Sequence, residues 1–328
     1  MRAMVLREHG GPEVLKGEDV PQPTPGRNQL LVEVHATSIN PVDTKVRKGG
    51  GAQRAFPIIL GYDASGIVRN CGPDVVGWRP GDEIFGCPYL FGPGANAEYV
   101  LLDARASARK PASVDHATAA SLPLVCLTAW ESLHERARIR AGQTVLIHGG
   151  AGGVGHVAIQ LARLYGCRVI TTAGRPASIA FCRDVLGADE VIDYSRVDFV
   201  ARANELSGGR GVDVVLDTVG NDTFRRSIEC VAPGGQLVTI LGSNPGDRTP
   251  LLLYRSISVH YEFMGMRLAA DLDPGRQGAI LDAVARLVDR GLLRAHVSAR
   301  LPLGQIAEGH RQIETGRTIG KIVVQVAR

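Results

Sequence analysis

The sequence has no uninterrupted apolar run near the roughly 18 residues that would suggest a membrane span. Its start, MRAMVLREHGGPEVL, lacks the apolar stretch of a secretory signal. Neither charge dominates: 37 Lys and Arg against 33 Asp and Glu leave a net +4, too small and dispersed for a nucleic-acid surface. There is no CxxC pair and no CxxH spacing. The six cysteines (Cys71, Cys87, Cys126, Cys167, Cys182 and Cys230) are scattered, and in a chain of 328 residues they read as reduced, mostly buried thiols. These absences set the expectation of a cytoplasmic protein with no nucleic-acid or membrane partner.

Glycine is what the sequence has in excess: 40 residues, against a usual share of about 7%. The glycines follow no G-X-Y period, and together with 18 prolines they stay below the range of low-complexity chains. The length suits two domains. What remains is a folded chain with many positions where the backbone turns sharply or is approached closely.

Residues 1 to about 110 read as short strands broken by Gly and Pro turns, as in Ala3–Leu6, Leu30–Val34, Ala64–Val68, Glu83–Phe85 and Glu98–Leu102. That spacing predicts a small barrel or sandwich. Near residue 115 the pattern changes to helix, with Ser113 or Asp115 as N-cap. From Thr144 onward strand and helix alternate as far as Gln236–Leu241, which predicts βαβ units and a doubly wound parallel sheet. A strand around Ile257–Phe263, an amphipathic helix over Gly278–Arg290 and a strand at Lys321–Val326 complete the chain.

The strongest motif is TVLIHGGAGGVGHVAIQLAR, residues 144–163. An apolar strand runs into a glycine loop, and the loop runs into a helix. Gly150, Gly152 and Gly155 satisfy G-x-G-x-x-G, for a tight turn, for close approach of a pyrophosphate, and for helix–strand packing. Free N–H groups at the helix start favour phosphate. The residues that end the second strand, Thr172-Ala173-Gly174-Arg175, offer no acid for a ribose 2′-hydroxyl, whereas Arg175 can meet a 2′-phosphate. Both features point to NADPH. Downstream, Val219 in DTVG and Leu241-Gly242 in LGS follow further strand ends, where ligands of such sheets lie.

Taken together, ATSINPVDTKVRKG (36–49), PIILGYDASGIV (57–68), RPGDEIFG (79–86), AEYV (97–100), LPLVCLTAWESL (122–133), the glycine motif and GKIVVQV (320–326) resemble the medium-chain dehydrogenase/reductase superfamily. Within it they resemble the zinc-independent NADPH:quinone oxidoreductase branch, over essentially the whole chain. The resemblance implies an α/β fold, with a Rossmann doubly wound parallel sheet inserted into a GroES-like β-rich catalytic domain. Residues 1–122 would form the first part of the catalytic domain, 123–264 the NADPH-binding domain, and 265–328 a segment returning to the catalytic domain. It also implies a homodimer.

Zinc alcohol dehydrogenases of this superfamily carry Cys where this chain has Asn40 and His where it has Tyr62. A catalytic zinc needs about three ligands, so the expectation is no metal. The implied chemistry is hydride delivery from NADPH to a quinone or to the C=C of an α,β-unsaturated carbonyl. Asn40 would donate to the developing oxyanion or position the nicotinamide, Asp43 would orient its neighbours, and Tyr62 would donate a hydrogen bond or proton. Relatives often have Lys at the place of Ser178, a departure that moves 2′-phosphate binding to Arg175, with Tyr194 flanking. Thr128, Gly153, Val154 and Phe263 complete the candidate cofactor contacts. Lys321 is a further candidate near the cofactor; in a Gly-Lys pair opening a strand it otherwise reads as a surface charge. The alternatives are an NADPH-binding sensor or structural protein with little turnover, and an enoyl-thioester reductase using Arg47, Lys48 and Arg54 as a basic patch.

Overall fold

In the computed structural model, which describes residues 1–51 and 54–326, the chain begins with β1 (Arg2–Leu6), β2 (Leu15–Asp19) and the long β3 (Gln29–Ile39). β3 passes through Asn40 into α1 (Pro41–Arg47). Pro41 suits a first helical position because that N–H would be unused. The Asp43 carboxylate accepts from the Asn40 backbone N–H at 2.7 Å. Five strands follow: β4 (Ile58–Ile59), β5 (Ala64–Cys71), β6 (Glu83–Gly86), β7 (Tyr99–Asp103) and β8 (Ala108–Arg109). Asp115 caps α2 (His116–Ala119), accepting from the Thr118 N–H at 2.8 Å, and α3 (Pro123–Trp130) comes next.

Strands and helices then alternate. The order is β9 (Thr144–Ile147), α4 (Gly153–Leu164), β10 (Arg168–Ala173), α5 (Pro176–Ala180), β11 (Glu190–Asp193), α6 (Phe199–Leu206) and β12 (Val212–Asp217). It continues with α7 (Asn221–Ser227), β13 (Val231–Thr239), α8 (Thr249–Tyr254) and β14 (Ser258–Tyr261). The last stretch holds α9 (Met266–Ala269), α10 (Gly275–Asp289), β15 (Val297–Pro302), α11 (Ile306–Glu314) and β16 (Lys321–Gln325).

These elements form two units, Met1–Leu127 with Gly265–Arg328, and Thr128–Met264. The second unit is one six-stranded sheet in the order β11-β10-β9-β12-β13-β14, every pairing parallel. This is the expected doubly wound sheet, with the order reversing at β9. Parallel strands covered on both faces need apolar side chains throughout. Leu146, Ile170, Val215 and Leu237 supply them, packing with Phe199, Phe224 and Ile228.

The first unit is the expected β-rich domain. Its larger sheet runs β15-β16-β3-β5-β6-β8 with β7 also on β3, beside a small sheet β2-β1-β4. Met4, Leu6, Ile39 and Leu60 share one core with Ile306, Ile322 and Val324, so the end of the chain closes the core that its start begins. β16 lies antiparallel on β3 with Ile322 opposite Ile39. One residue further along that register, Lys321 meets Asn40.

Candidate functional site

In the second unit β9 ends at Ile147, and the glycines that follow have different physical duties. Gly149 holds the left-handed backbone, at φ +65. A Cβ on Gly150 would stand 2.1 Å from Thr171 Oγ1, and one on Gly155 would stand 2.2 Å from the Gly149 carbonyl. Both are packing requirements. Gly152 differs, since a Cβ there would meet only the Gly149 carbonyl, at 3.2 Å. No side chain caps α4 at Gly152. The N–H groups of its first turn, Gly153, Val154 and Gly155, therefore have no acceptor within the helix. An open glycine beside free N–H groups at a helix start fits a pyrophosphate.

The loop is held from beneath by His148, which is buried. Ser227 Oγ gives its one proton to the Thr223 carbonyl at 2.6 Å, so in its 2.9 Å contact with His148 Nε2 the imidazole donates. Nδ1 is then an acceptor for Thr172 Oγ1 at 3.2 Å, and Thr172 Oγ1 accepts from the Gly149 N–H at 3.1 Å. Burial lowers the His148 pKa to about 4, which keeps the ring neutral.

The other cofactor candidates of this unit mostly follow strand ends as well. Gly174 and Arg175 follow β10, and Tyr194 follows β11, its N–H reaching the Ala173 carbonyl at 3.3 Å. The exposed Tyr194 ring lies over Gly174, where a Cβ would come within 2.5 Å of Tyr194 Cζ. The structure thus brings Gly174 and Tyr194 together beside Arg175, the residue that precedes α5. Ser178 and Thr128 are buried. Asp217, at the end of β12, accepts from the N–H groups of Val219 (3.0 Å) and Gly220 (2.9 Å), leaving the Val219 side chain exposed. Leu241 and Gly242 follow β13, and the exposed Phe263 follows β14. A Cβ on Gly242 would meet nothing within 4 Å.

The first unit holds a buried polar cluster around Asn40, which is 1% exposed. Asp63 Oδ2 accepts from Ser38 Oγ at 2.6 Å, from Asn40 Nδ2 at 2.7 Å and from Lys321 Nζ at 3.3 Å. Its other oxygen accepts from the Leu124 N–H at 2.7 Å. Lys321 Nζ also donates to Asn40 Oδ1 and, at 3.3 Å, to the Ile39 carbonyl. Lys321 is 2% exposed, so the surface-charge reading of this residue is wrong. Asp43 accepts from the backbone N–H groups of Asn40 (2.7 Å) and Gly61 (2.9 Å). Burial outweighs those donors and pushes its pKa up to about 7. Tyr62 is buried with the Arg54 guanidinium 5.6 Å from its ring centre, and burial raises its pKa, which holds it as a phenol.

Sequence reasoning had not placed Asp63, Ser38, Asp217 or His148 among the functional residues. The signal for Asp63 was a carboxylate inside an otherwise apolar stretch, PIILGYDASGIV, since a buried acid needs partners. The cluster does not fit a zinc ion. Asn40 and Tyr62 are not zinc ligands, and the four groups hydrogen-bonded to the Asp63 carboxylate are all donors, one of them an ammonium. Among the described residues no group of three His, Cys, Asp or Glu side chains is placed to hold a metal.

Two family patterns match the chain: "Alcohol dehydrogenase GroES-like domain" over residues 26–112 and "Zinc-binding dehydrogenase" over residues 186–324. The chain is 33% identical to a quinone oxidoreductase of Pseudomonas aeruginosa, across 96% of this chain and 97% of that one. Among solved structures it is similar to an alcohol dehydrogenase superfamily protein from Novosphingobium aromaticivorans, with TM-score 0.92 and 36% identity over 100% of both chains. It is also similar to the Escherichia coli quinone oxidoreductase complexed with NADPH, with TM-score 0.89 and 29% identity over 99% of this chain and 100% of that one.

Proposed function

Because this chain belongs to the quinone oxidoreductase-like branch of the medium-chain dehydrogenase/reductase superfamily, we propose that it is a zinc-free, NADPH-dependent reductase. Its hydride acceptor would be a quinone or the β-carbon of an α,β-unsaturated carbonyl. The observation that carries this reading is the cluster around Asn40. An amide, a phenol and an internal ammonium stand where a metal-dependent alcohol oxidation would need metal ligands.

Gly152, Gly153 and Val154 would hold the pyrophosphate, and Arg175 with Tyr194 the 2′-phosphate end. The NADPH bound to the Escherichia coli relative supports that choice of cofactor. Bound there, the reduced nicotinamide supplies the hydride. The chain's own residues then meet charge developing on the acceptor oxygen. Asn40 Nδ2 has two hydrogens and Asp63 takes one, so the second can donate to that oxygen. A preorganised donor of this kind is worth about 3 kcal/mol in the transition state. Tyr62, held as a phenol, is a second donor, and solvent water returns the proton that completes the product.

A second reading, a binding protein with little turnover, is favoured by the near-complete burial of both Asn40 and Tyr62. The thioester reading keeps only Arg54 of its three basic residues unpaired with a carboxylate among the described residues. Arg47 is fully buried and donates to Glu314 at 2.6 Å, and Lys48 lies 2.8 Å from the same carboxylate. Among the described residues no helix is long and apolar enough to cross a membrane, and the proposed setting is the cytoplasm. We further propose a homodimer, which light scattering tests.

The functional reading is tested by following NADPH consumption with a panel of quinones and enones. Turnover with at least one member of the panel supports a reductase. Tight NADPH binding without turnover of any member establishes the second reading instead.

A further inference from the structure

We propose that Lys321 is a positioning residue: its ammonium, paired with Asp63, fixes which way round the Asn40 carboxamide sits. The inference rests on the reading of Asn40 as the donor to the acceptor oxygen.

An asparagine amide is nearly symmetric in shape, and its two ends differ only in donating or accepting. Lys321 can only donate, so the end it meets must be Oδ1. The Asp63 carboxylate, which already takes donors from Ser38 and the Leu124 N–H, meets the other end at 2.7 Å, so that end must be Nδ2. Reversing the amide would set NH2 against ammonium and carbonyl against carboxylate, which breaks two charge-assisted hydrogen bonds at once. Such bonds are strengthened where water is excluded, and all three side chains are buried.

The three hydrogens of Lys321 have three acceptors: Asn40 Oδ1, the Ile39 carbonyl and Asp63 Oδ2. Asp63 in turn is filled by Ser38, Asn40, Lys321 and the Leu124 N–H. In this closed arrangement only the second Nδ2 hydrogen of Asn40 is left to give. The placement follows from strand register, since β16 runs antiparallel to β3 with Ile322 opposite Ile39. A buried lysine is costly unless paired, and this one spends its pairing on one amide and its carboxylate partner.

The test uses the full-length protein with NADPH and 9,10-phenanthrenequinone, comparing Lys321→Met, Lys321→Arg, Asn40→Ala and the double variant Lys321→Met/Asn40→Ala. Lys321→Met is expected to lower kcat at least tenfold with KM for NADPH within threefold, and Lys321→Arg to recover most of the loss. The double variant should be no slower than Asn40→Ala alone, because the lysine acts through the amide. An unchanged kcat in Lys321→Met, or losses that multiply in the double variant, overturns the proposal.

A second readout does not depend on turnover. In protein labelled with 15N-asparagine, the Asn40 side-chain amide should give one slowly exchanging pair of signals. That pair should double or broaden in Lys321→Met and stay single in Lys321→Arg; an unaltered pair in Lys321→Met contradicts the proposal. Should Lys321→Met fail to fold, Lys321→Gln takes its place, since an amide that can itself reverse no longer fixes Asn40, and the same doubling is expected. A wild type that turns over no acceptor sinks the functional reading, while the amide signals still decide the role of Lys321.

Discussion

His148 Nε2 donates to Ser227 Oγ across 2.9 Å, directly beneath the glycine loop of the dinucleotide unit. Because the serine proton is already committed to Thr223, Nε2 carries the ring hydrogen, and burial keeps the ring neutral. Its pKa of about 4 lies below that of a free histidine. Between pH 6.5 and 4 the unfolded chain therefore takes up a proton that the folded chain refuses, so this contribution to stability is lost as pH falls. His148→Gln is expected to cost about 1–2 kcal/mol at pH 7 through lost hydrogen bonds. The gap to wild type should shrink by about 2 kcal/mol between pH 6.5 and 4.5, so that it closes or reverses, at about 1.4 kcal/mol per pH unit. Urea unfolding at four pH values checks this, and a constant gap would contradict it.

The glycines of the loop should separate by duty. Gly155→Ala forces a Cβ against the Gly149 carbonyl, and about 2–3 kcal/mol of destabilisation is expected. Gly152→Ala meets open space on one side, so the melting temperature should move by no more than a few degrees while affinity for NADPH falls at least tenfold. Thermal melts and calorimetric titration of the two variants test the contrast.

Arg175→Ala should weaken NADPH binding by roughly 10- to 100-fold, the worth of a charged hydrogen bond of about 1.5–3 kcal/mol. NADH binding should stay within twofold. If both affinities fall together, Arg175 supports the loop rather than the 2′-phosphate.

Arg47 and Glu314 predict the stability of the other unit. Arg47 is buried but Glu314 sits at the surface and is open to solvent, so Glu314→Gln should cost about 1–2 kcal/mol, the worth of one charged hydrogen bond at a partly exposed site. Lys48→Met, on the exposed side of the same carboxylate, should cost less than about 1 kcal/mol. Chemical denaturation, followed by fluorescence of Trp78 in that unit, measures both.

Local pattern made the dinucleotide unit legible. A parallel sheet needs apolar strands, and a βα turn that binds phosphate needs glycines and an uncapped helix, so both leave marks within 20 residues. The polar cluster was less legible, because its partners come from Ser38, Asp63, Leu124 and Lys321, brought together only by sheet pairing and chain return. Lys321 resembles a surface charge in its own neighbourhood, and only the register of β16 on β3 buries it. The helix α1 was overlooked at Asn40-Pro41, although proline at the first helical position and an acid two residues later were its signals. Which glycine takes the left-handed backbone was likewise invisible: the motif points to Gly150, and the structure uses Gly149.

The central claim is hydride transfer from NADPH without a metal. Its most direct test follows absorbance at 340 nm after exhaustive dialysis against a strong chelator, with bound zinc measured on the same sample. Undiminished NADPH oxidation by a quinone or an enone, with no stoichiometric metal present, is the predicted result. Activity that vanishes on chelation and returns with added zinc would contradict it.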